Sequence, residues 1–183
     1  MLRKLLILIL LTSSVSVFGQ GKYIAKNAYI SFFSSTPLEN ILGESNEAVT
    51  ILDGSNGKIV FQALMTTFHF KRALMEEHFN EEYMESAKFP KGKFDGTIVG
   101  FKPEMLSSPV ANIQVAGELS LHGVTKTISA PATIGMENGK LVATSKFKVV
   151  PEDFGITIPS IVRDKIGKEF EITVKVTYQP LAK

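Results

Sequence analysis

A period-two alternation of apolar and polar residues runs through most of this 183-residue chain and limits it to sheet structure. Ile113, Val115, Gly117, Leu119 and Leu121 alternate with Asn112, Gln114, Ala116, Glu118 and Ser120. Phe170, Ile172, Val174, Val176 and Tyr178 alternate with Glu171, Thr173, Lys175 and Thr177. Leu141, Ala143, Ser145, Phe147 and Val149 form a third such face, opposite Thr144, Lys146 and Lys148. Ile59, Phe61, Ala63 and Met65 repeat the theme, as do Phe94, Gly96 and Ile98. Strands of this kind have one dry and one wet face, the mark of an antiparallel sheet. Asn56-Gly57 and Asn138-Gly139 are dipeptides that accept positive φ in tight hairpins, and Asp53-Gly54 adds a turn just upstream. The pattern predicts strands near 23–34, 47–52, 58–71 (with a bend), 94–101, 110–121, 125–135, 140–150 and 168–178. About eight alternating strands make an all-β fold, either a closed barrel or a sandwich, and periodicity does not separate the two.

The amino terminus has a different layout. Arg3 and Lys4 precede an unbroken apolar run, Leu5 to Leu11, and then a stretch of small residues to Gly19. That order predicts a secretory signal peptide over 1–19, cut near Gly19–Gln20, and one mature domain over 20–183. The protein is therefore expected to be exported, to the periplasm or the extracellular space, with no stable membrane anchor once the signal is removed. Without Arg3 and Lys4, eighteen basic residues face eighteen acidic ones. A neutral domain gives no electrostatic reason for nucleic acid as a partner. The chain has no cysteine, which excludes disulfides, thiolate catalysis and cysteine-ligated metals.

Two segments break the strand pattern. Over 73–85, Leu74 with His78, and Met75 with Phe79 and Tyr83, recur at helical spacing, with Glu76, Glu77, Asn80 and Glu81 on or near the other side. This segment is either a lid over a cavity or a plug within the barrel. A second short helical turn is predicted near 160–166, capped by Ser160 and ended by Gly167. His69, His78 and His122 do not have the spacing of a compact metal site. His122 precedes a glycine in a turn, where a structural hydrogen bond is the expected role. Glu76, Glu77, Glu81, Glu82 and Glu85 lie on one short segment and read as a solvated face, not as two carboxyls opposed across a cleft. No nucleophile elbow, phosphate loop or dinucleotide fingerprint is present, so neither catalytic residues nor a cofactor are expected.

Several motifs in order carry a family resemblance. Leu74-Met75-x-Glu77-His78-Phe79-Asn80-Glu81-x-Tyr83-Met84-x-Ser86, then Phe89-Pro90 and Phe94-x-Gly96, resembles the YceI-like polyisoprenoid-binding proteins. So do Gly117 to Lys126, with a His-Gly-Val-Thr turn, Phe154-Gly155-Ile156 with Ile158-Pro159, and the Asp53–Gly57 turn before Ile59-Val60-Phe61. The compact, aromatic Thr66-Thr67-Phe68-His69-Phe70-Lys71-Arg72 departs from that pattern. The resemblance implies an eight-stranded antiparallel lipocalin-like barrel, a helix closing one side, and an apolar cavity for an isoprenoid or fatty amphiphile. On that reading Phe61, Phe68, Phe94, Ile98, Leu119, Leu121, Phe147, Ile172 and Val174 form the ligand surface, and Met75, Phe79 and Tyr83 meet the ligand from the helix. Lys71, Arg72 and Lys126 are candidate headgroup neighbours. A barrel filled by its own side chains, serving as an envelope or surface interaction protein, is the alternative. A metal-dependent enzyme using His78 or His122 has the least support.

Overall fold

The alternating segments form nine strands in the computed structural model, which describes residues 21–182. The strands are β1 (Lys22–Ser35), β2 (Asn40–Asp53), β3 (Lys58–Leu64), β4 (His69–Phe70), β5 (Lys91–Ile98), β6 (Ala111–Leu121), β7 (Val124–Glu137), β8 (Lys140–Val149) and β9 (Phe170–Pro180). All pair antiparallel in the order β1-β9-β8-β7-β6-β5-β3-β2, and β2 pairs back onto β1. β4 is a two-residue piece that pairs with Gly43 and Glu44 on the edge of β2 that β3 uses further along. β3 and β4 thus act as one bent strand, interrupted by a 3-10 turn at Met65–Thr67. The result is a closed eight-stranded antiparallel barrel. Closure leaves no main strand with a free edge. The expected signal peptide lies outside the described residues.

Two hairpins turn as their dipeptides dictate. Asn138 and Gly139 have φ of 50° and 76°, and His122 and Gly123 have 48° and 77°. Both pairs join strands through two residues with positive φ, the twist that right-handed hairpins favour. The Asn56-Gly57 turn is wider than expected. Gly57 N–H donates to the Asp53 carbonyl at 2.8 Å, and the Asp53 carboxylate takes up Ser55.

Other boundaries differ from the sequence reading for physical reasons. β2 begins at Asn40, well before 47, because after Ile41 its early inward positions hold Gly43 and Ser45, which interrupt the apolar alternation. A Cβ at Gly43 would collide with the Phe32 ring and come within 2.9 Å of Phe70, so those rings occupy its place. β5 spans 91–98, not 94–101, since Gly100 turns the chain with φ of 65°. The 160–166 helix reduces to a 3-10 turn, Ser160–Val162, and Ser160 makes no cap. The segment expected to be helical over 73–85 is α1 (Ala73–His78) followed by a π-turn, Phe79–Tyr83. There Met84 N–H reaches back to the Phe79 carbonyl at 2.8 Å and the Asn80 amide donates to the Glu76 carbonyl at 2.9 Å.

The outer face is wet and paired. Thr133 meets Thr144 at 2.8 Å, Lys146 meets Glu171 at 2.8 Å and Lys148 meets Glu169 at 2.7 Å, all exposed. The interior is not uniform along the axis. At the end where β2 stops and β3 begins, Tyr23, Leu52, Ile98, Leu106 and Leu141 are buried against one another. Leu106 comes from the β5–β6 connection, which a Ser108–Met136 backbone bond of 2.7 Å holds across that end.

Candidate functional site

Toward the opposite end the barrel is hollow. A cavity of about 550 Å³ lies inside it, within the range of about 300–1,000 Å³ typical of small-ligand sites. The alternation of each strand supplies the walls: Ile59 and Phe61 from β3, Phe94 from β5, Leu119 and Leu121 from β6, Phe147 from β8, Ile172 and Val174 from β9. Small inward residues, Ala63, Ala130, Ala132 and Ala143, leave the space that larger ones would fill.

Eleven of the twelve residues expected at a ligand surface line this one cavity: Phe61, Phe68, Met75, Phe79, Tyr83, Phe94, Leu119, Leu121, Phe147, Ile172 and Val174. Ile98 does not. It faces inward, but two residue pairs beyond Phe94 along β5, and it lies buried at 3% exposure in the filled end. Facing inward and facing the cavity are separate properties in a barrel that is packed at one end.

The roof consists of two connections. The first is α1 with its π-turn. Phe79 stacks on Phe32 at 5.2 Å between centroids and tilts against Phe70 at 5.1 Å and Phe68 at 5.7 Å. Phe32 also touches Phe68, Phe70 and Phe170. No residue of α1 or the π-turn is fully buried, so this segment covers the space and does not fill it. The lid-or-plug alternative is thereby resolved in geometry: an aromatic clasp holds a roof with a void beneath. The second connection runs from β8 to β9 and contributes Pro151, Ile156, Ile158, Val162 and Ile166 to the lining.

Polar contacts pin the roof. His122 Nδ1 lies 3.2 Å from the Phe154 carbonyl oxygen, which can only accept, and Nε2 lies 3.0 Å from Glu85 Oε2. The ring also packs on Phe89 at 4.4 Å. The β6–β7 turn thus ties the end of the first roof segment to the second. Glu85 itself has φ of 44°, and its carboxylate lies 3.6 Å from Lys88. Glu76 accepts from Phe70 N–H at 3.2 Å and lies beside His69. Two of the five acidic residues expected as a solvated face are therefore anchors. His78 lies 4.0 Å from Glu82, and among the described residues no three His, Cys, Asp or Glu side chains gather as a metal site.

The candidate headgroup cations are mostly engaged elsewhere. Arg72 lines the mouth but is ion-paired with Glu39. Lys126 pairs with Asp153 at 2.9 Å and, like Lys71, does not line the cavity. Lys165, exposed at the mouth, is a cavity-lining cation without an acidic partner among the described residues. Burial pushes the Tyr83 phenol up, with a smaller push from Glu82. Burial also pushes the Tyr178 phenol up to about 12, against the opposing hydrogen bond from Thr50.

Sequence reasoning missed several lining residues. Phe170 and Tyr178 belong to the same alternating face as Ile172 and Val174, so the signal was there. Ile30 and Phe32 were hidden, because β1 changes register between Ala25 and Ala28 and again before Ile30. Thr50 reads as an ordinary polar strand residue until its partner Tyr178, one strand beyond its neighbour β1, is known.

Comparison with known proteins agrees with this architecture. A family model described as YceI-like domain matches residues 25–178. No curated protein sequence matches the chain. Among solved structures, a polyisoprenoid binding domain from Saccharophagus degradans, implicated in plant cell wall breakdown, superposes with a TM-score of 0.73 at 11% identity, over 88% of this chain and 99% of that one. Burkholderia cenocepacia BcnA gives 0.68 at 12% identity, over 83% and 96%. The Campylobacter jejuni YCEI protein gives 0.57 at 16% identity, over 75% and 81%.

Proposed function

The chain belongs to the YceI-like domain family, and from that premise we propose that it is an exported, non-enzymatic binding protein that holds an isoprenoid or other lipid-like amphiphile in its barrel. The observation that carries this reading is the cavity of about 550 Å³, walled by aliphatic and aromatic side chains and roofed by a segment clasped through Phe79. The polyisoprenoid binding of the Saccharophagus degradans relative supports the same ligand class.

The binding force is removal of the chain from water. Each CH₂-sized group buried contributes about 0.8 kcal/mol. About ten such groups supply about 8 kcal/mol before the cost of association. Apolar contact is therefore enough to retain a lipid without a charged clamp. Among the described residues that line the cavity there is no pair of opposed carboxyls and no activated nucleophile, so retention, not turnover, fits the lining.

Native mass spectrometry of protein purified without detergent tests the proposal. The expected spectrum shows a lipid-sized adduct that organic extraction removes and a prenyl or fatty probe restores. A protein that carries no adduct and takes up neither kind of probe would overturn it.

A further inference from the structure

The cavity is apolar along most of its walls, but its floor carries two hydroxyls. Thr50 on β2 and Tyr178 on β9 both line the cavity, at 1% and 5% exposure. β1 lies between their strands, with the small side chains of Ala25 and Ala28 at this level. The two oxygens therefore approach to 3.2 Å across it. Beyond them on β2 and β9 the lining does not continue, and Leu52, Leu106 and Leu141 are packed there outside it.

Hydrogen-bond accounting leaves one group over. Two hydroxyls carry two O–H donors, and the bond between them uses one. Neither oxygen has a further partner among the described residues. Whichever hydroxyl donates, the other keeps a hydrogen without an acceptor, and the neighbouring side chains Ile59, Phe61, Ile134 and Val176 provide none. The proton stays on the phenol, since burial pushes Tyr178 up to about 12. An unused donor in a dry site is costly unless something accepts from it. The other end of the cavity has the opposite character: beneath the roof the lining is the rings of Phe32, Phe68, Phe70 and Phe79, and Arg72 at the mouth is taken by Glu39.

We infer that the cavity takes its amphiphile polar end first, seating an accepting oxygen of a ketone, aldehyde, ester or alcohol on the Thr50–Tyr178 pair, with the hydrocarbon tail running back beneath the aromatic roof. This rests on the carrier reading above and adds an orientation and a headgroup class: small, uncharged and hydrogen-bond accepting. A charged head is disfavoured there, because the floor holds no counter-charge and burying an unpaired ion is far costlier than burying a carbonyl.

The test is a matched pair of probes, farnesylacetone and the hydrocarbon in which a methylene replaces its carbonyl. Both are measured by displacement of bound N-phenyl-naphthylamine. The ketone-to-hydrocarbon affinity ratio of wild-type protein should exceed that of the double variant by about tenfold, the worth of one buried hydrogen bond. Either single variant, Thr50→Val or Tyr178→Phe, keeps one hydroxyl and should keep part of that preference. The double variant, with neither hydroxyl, should lose the whole of that tenfold. A second measurement needs no variant: the carbonyl stretch of bound farnesylacetone should fall below its value in hexane. An unshifted stretch, or a preference that survives in the double variant and vanishes in Lys165→Gln, would place the head at the mouth and overturn the inference. Failure of both probes to bind wild-type protein would instead sink the carrier reading, and this one with it.

Discussion

The two ends of this barrel are built from the same alternating strands but do opposite things with the space inside. At the filled end, Leu52, Ile98, Leu106 and Leu141 are between 0% and 5% exposed and pack as a core. At the roofed end, Phe61, Phe94, Leu119 and Phe147 are only partly buried and face a void. The difference comes from two causes outside the strand pattern. A connecting loop drives Leu106 into one end. At the other, the large rings are gathered under the roof around Phe32, while inward alanines thin the wall below them. One end supplies the stability that lets the other stay hollow, since an empty apolar site forgoes packing contacts.

Core truncation should break this contrast most sharply. Leu52→Ala, fully buried at the filled end, is expected to cost about 3–5 kcal/mol in chemical denaturation. Leu119→Ala at the hollow end should cost less than about 2 kcal/mol, because its side chain already borders empty space and the change only enlarges it. Equal losses would show that the two ends are packed alike. Alkaline titration comes next. The Tyr178 phenol keeps its proton to about 12 in the folded protein but ionises near 10 when unfolded. Between those values the folded state binds the extra proton, so stability is level below about pH 10 and falls by up to about 3 kcal/mol as pH rises to about 12. Tyr178→Phe should flatten that part of the decline, while the raised Tyr23, Tyr29 and Tyr83 keep a smaller slope of the same sign.

Phe79→Ala sharpens the comparison by loosening only the roof. It removes three ring contacts, and about 1–3 kcal/mol of protection should disappear from amides 73–85 in hydrogen exchange. Amides of the filled end should keep theirs, and a bound lipid should leave faster. The smallest effect belongs to the outer face. Breaking the exposed Lys146–Glu171 pair with Lys146→Ala should change stability by no more than about 0.5 kcal/mol.

Much of the strand layout was legible, and the reasons are local. In β6, β8 and β9 the inward positions are regularly spaced and mostly apolar, so the alternation names both the strand and its dry face. In β1 the register shifts near Ala28 turn successive side chains off the simple pattern, and Phe32, the centre of the aromatic clasp, disappears from view. In β2 the inward Gly43 and Ser45 carry no apolar signal: rings from other strands occupy the space at Gly43, and the Ser45 hydroxyl pairs with Thr67. The site was legible in direction but not in height. Phe94 and Ile98 share a face of β5, yet only Phe94 reaches the cavity, because the filled end is packed by Leu106 from the connection that follows β5. The Thr50–Tyr178 pair was illegible for the same kind of reason: it is a contact across a third strand.

The most direct measurement is the electron density inside the barrel of crystals grown from protein purified without detergent. The account predicts a continuous, elongated feature running from Thr50 and Tyr178 to the underside of Phe79, with Leu52, Ile98 and Leu106 closely packed below it. A barrel in which Phe61, Phe94 and Phe147 have turned inward to fill that space, leaving no room for a ligand, would contradict it.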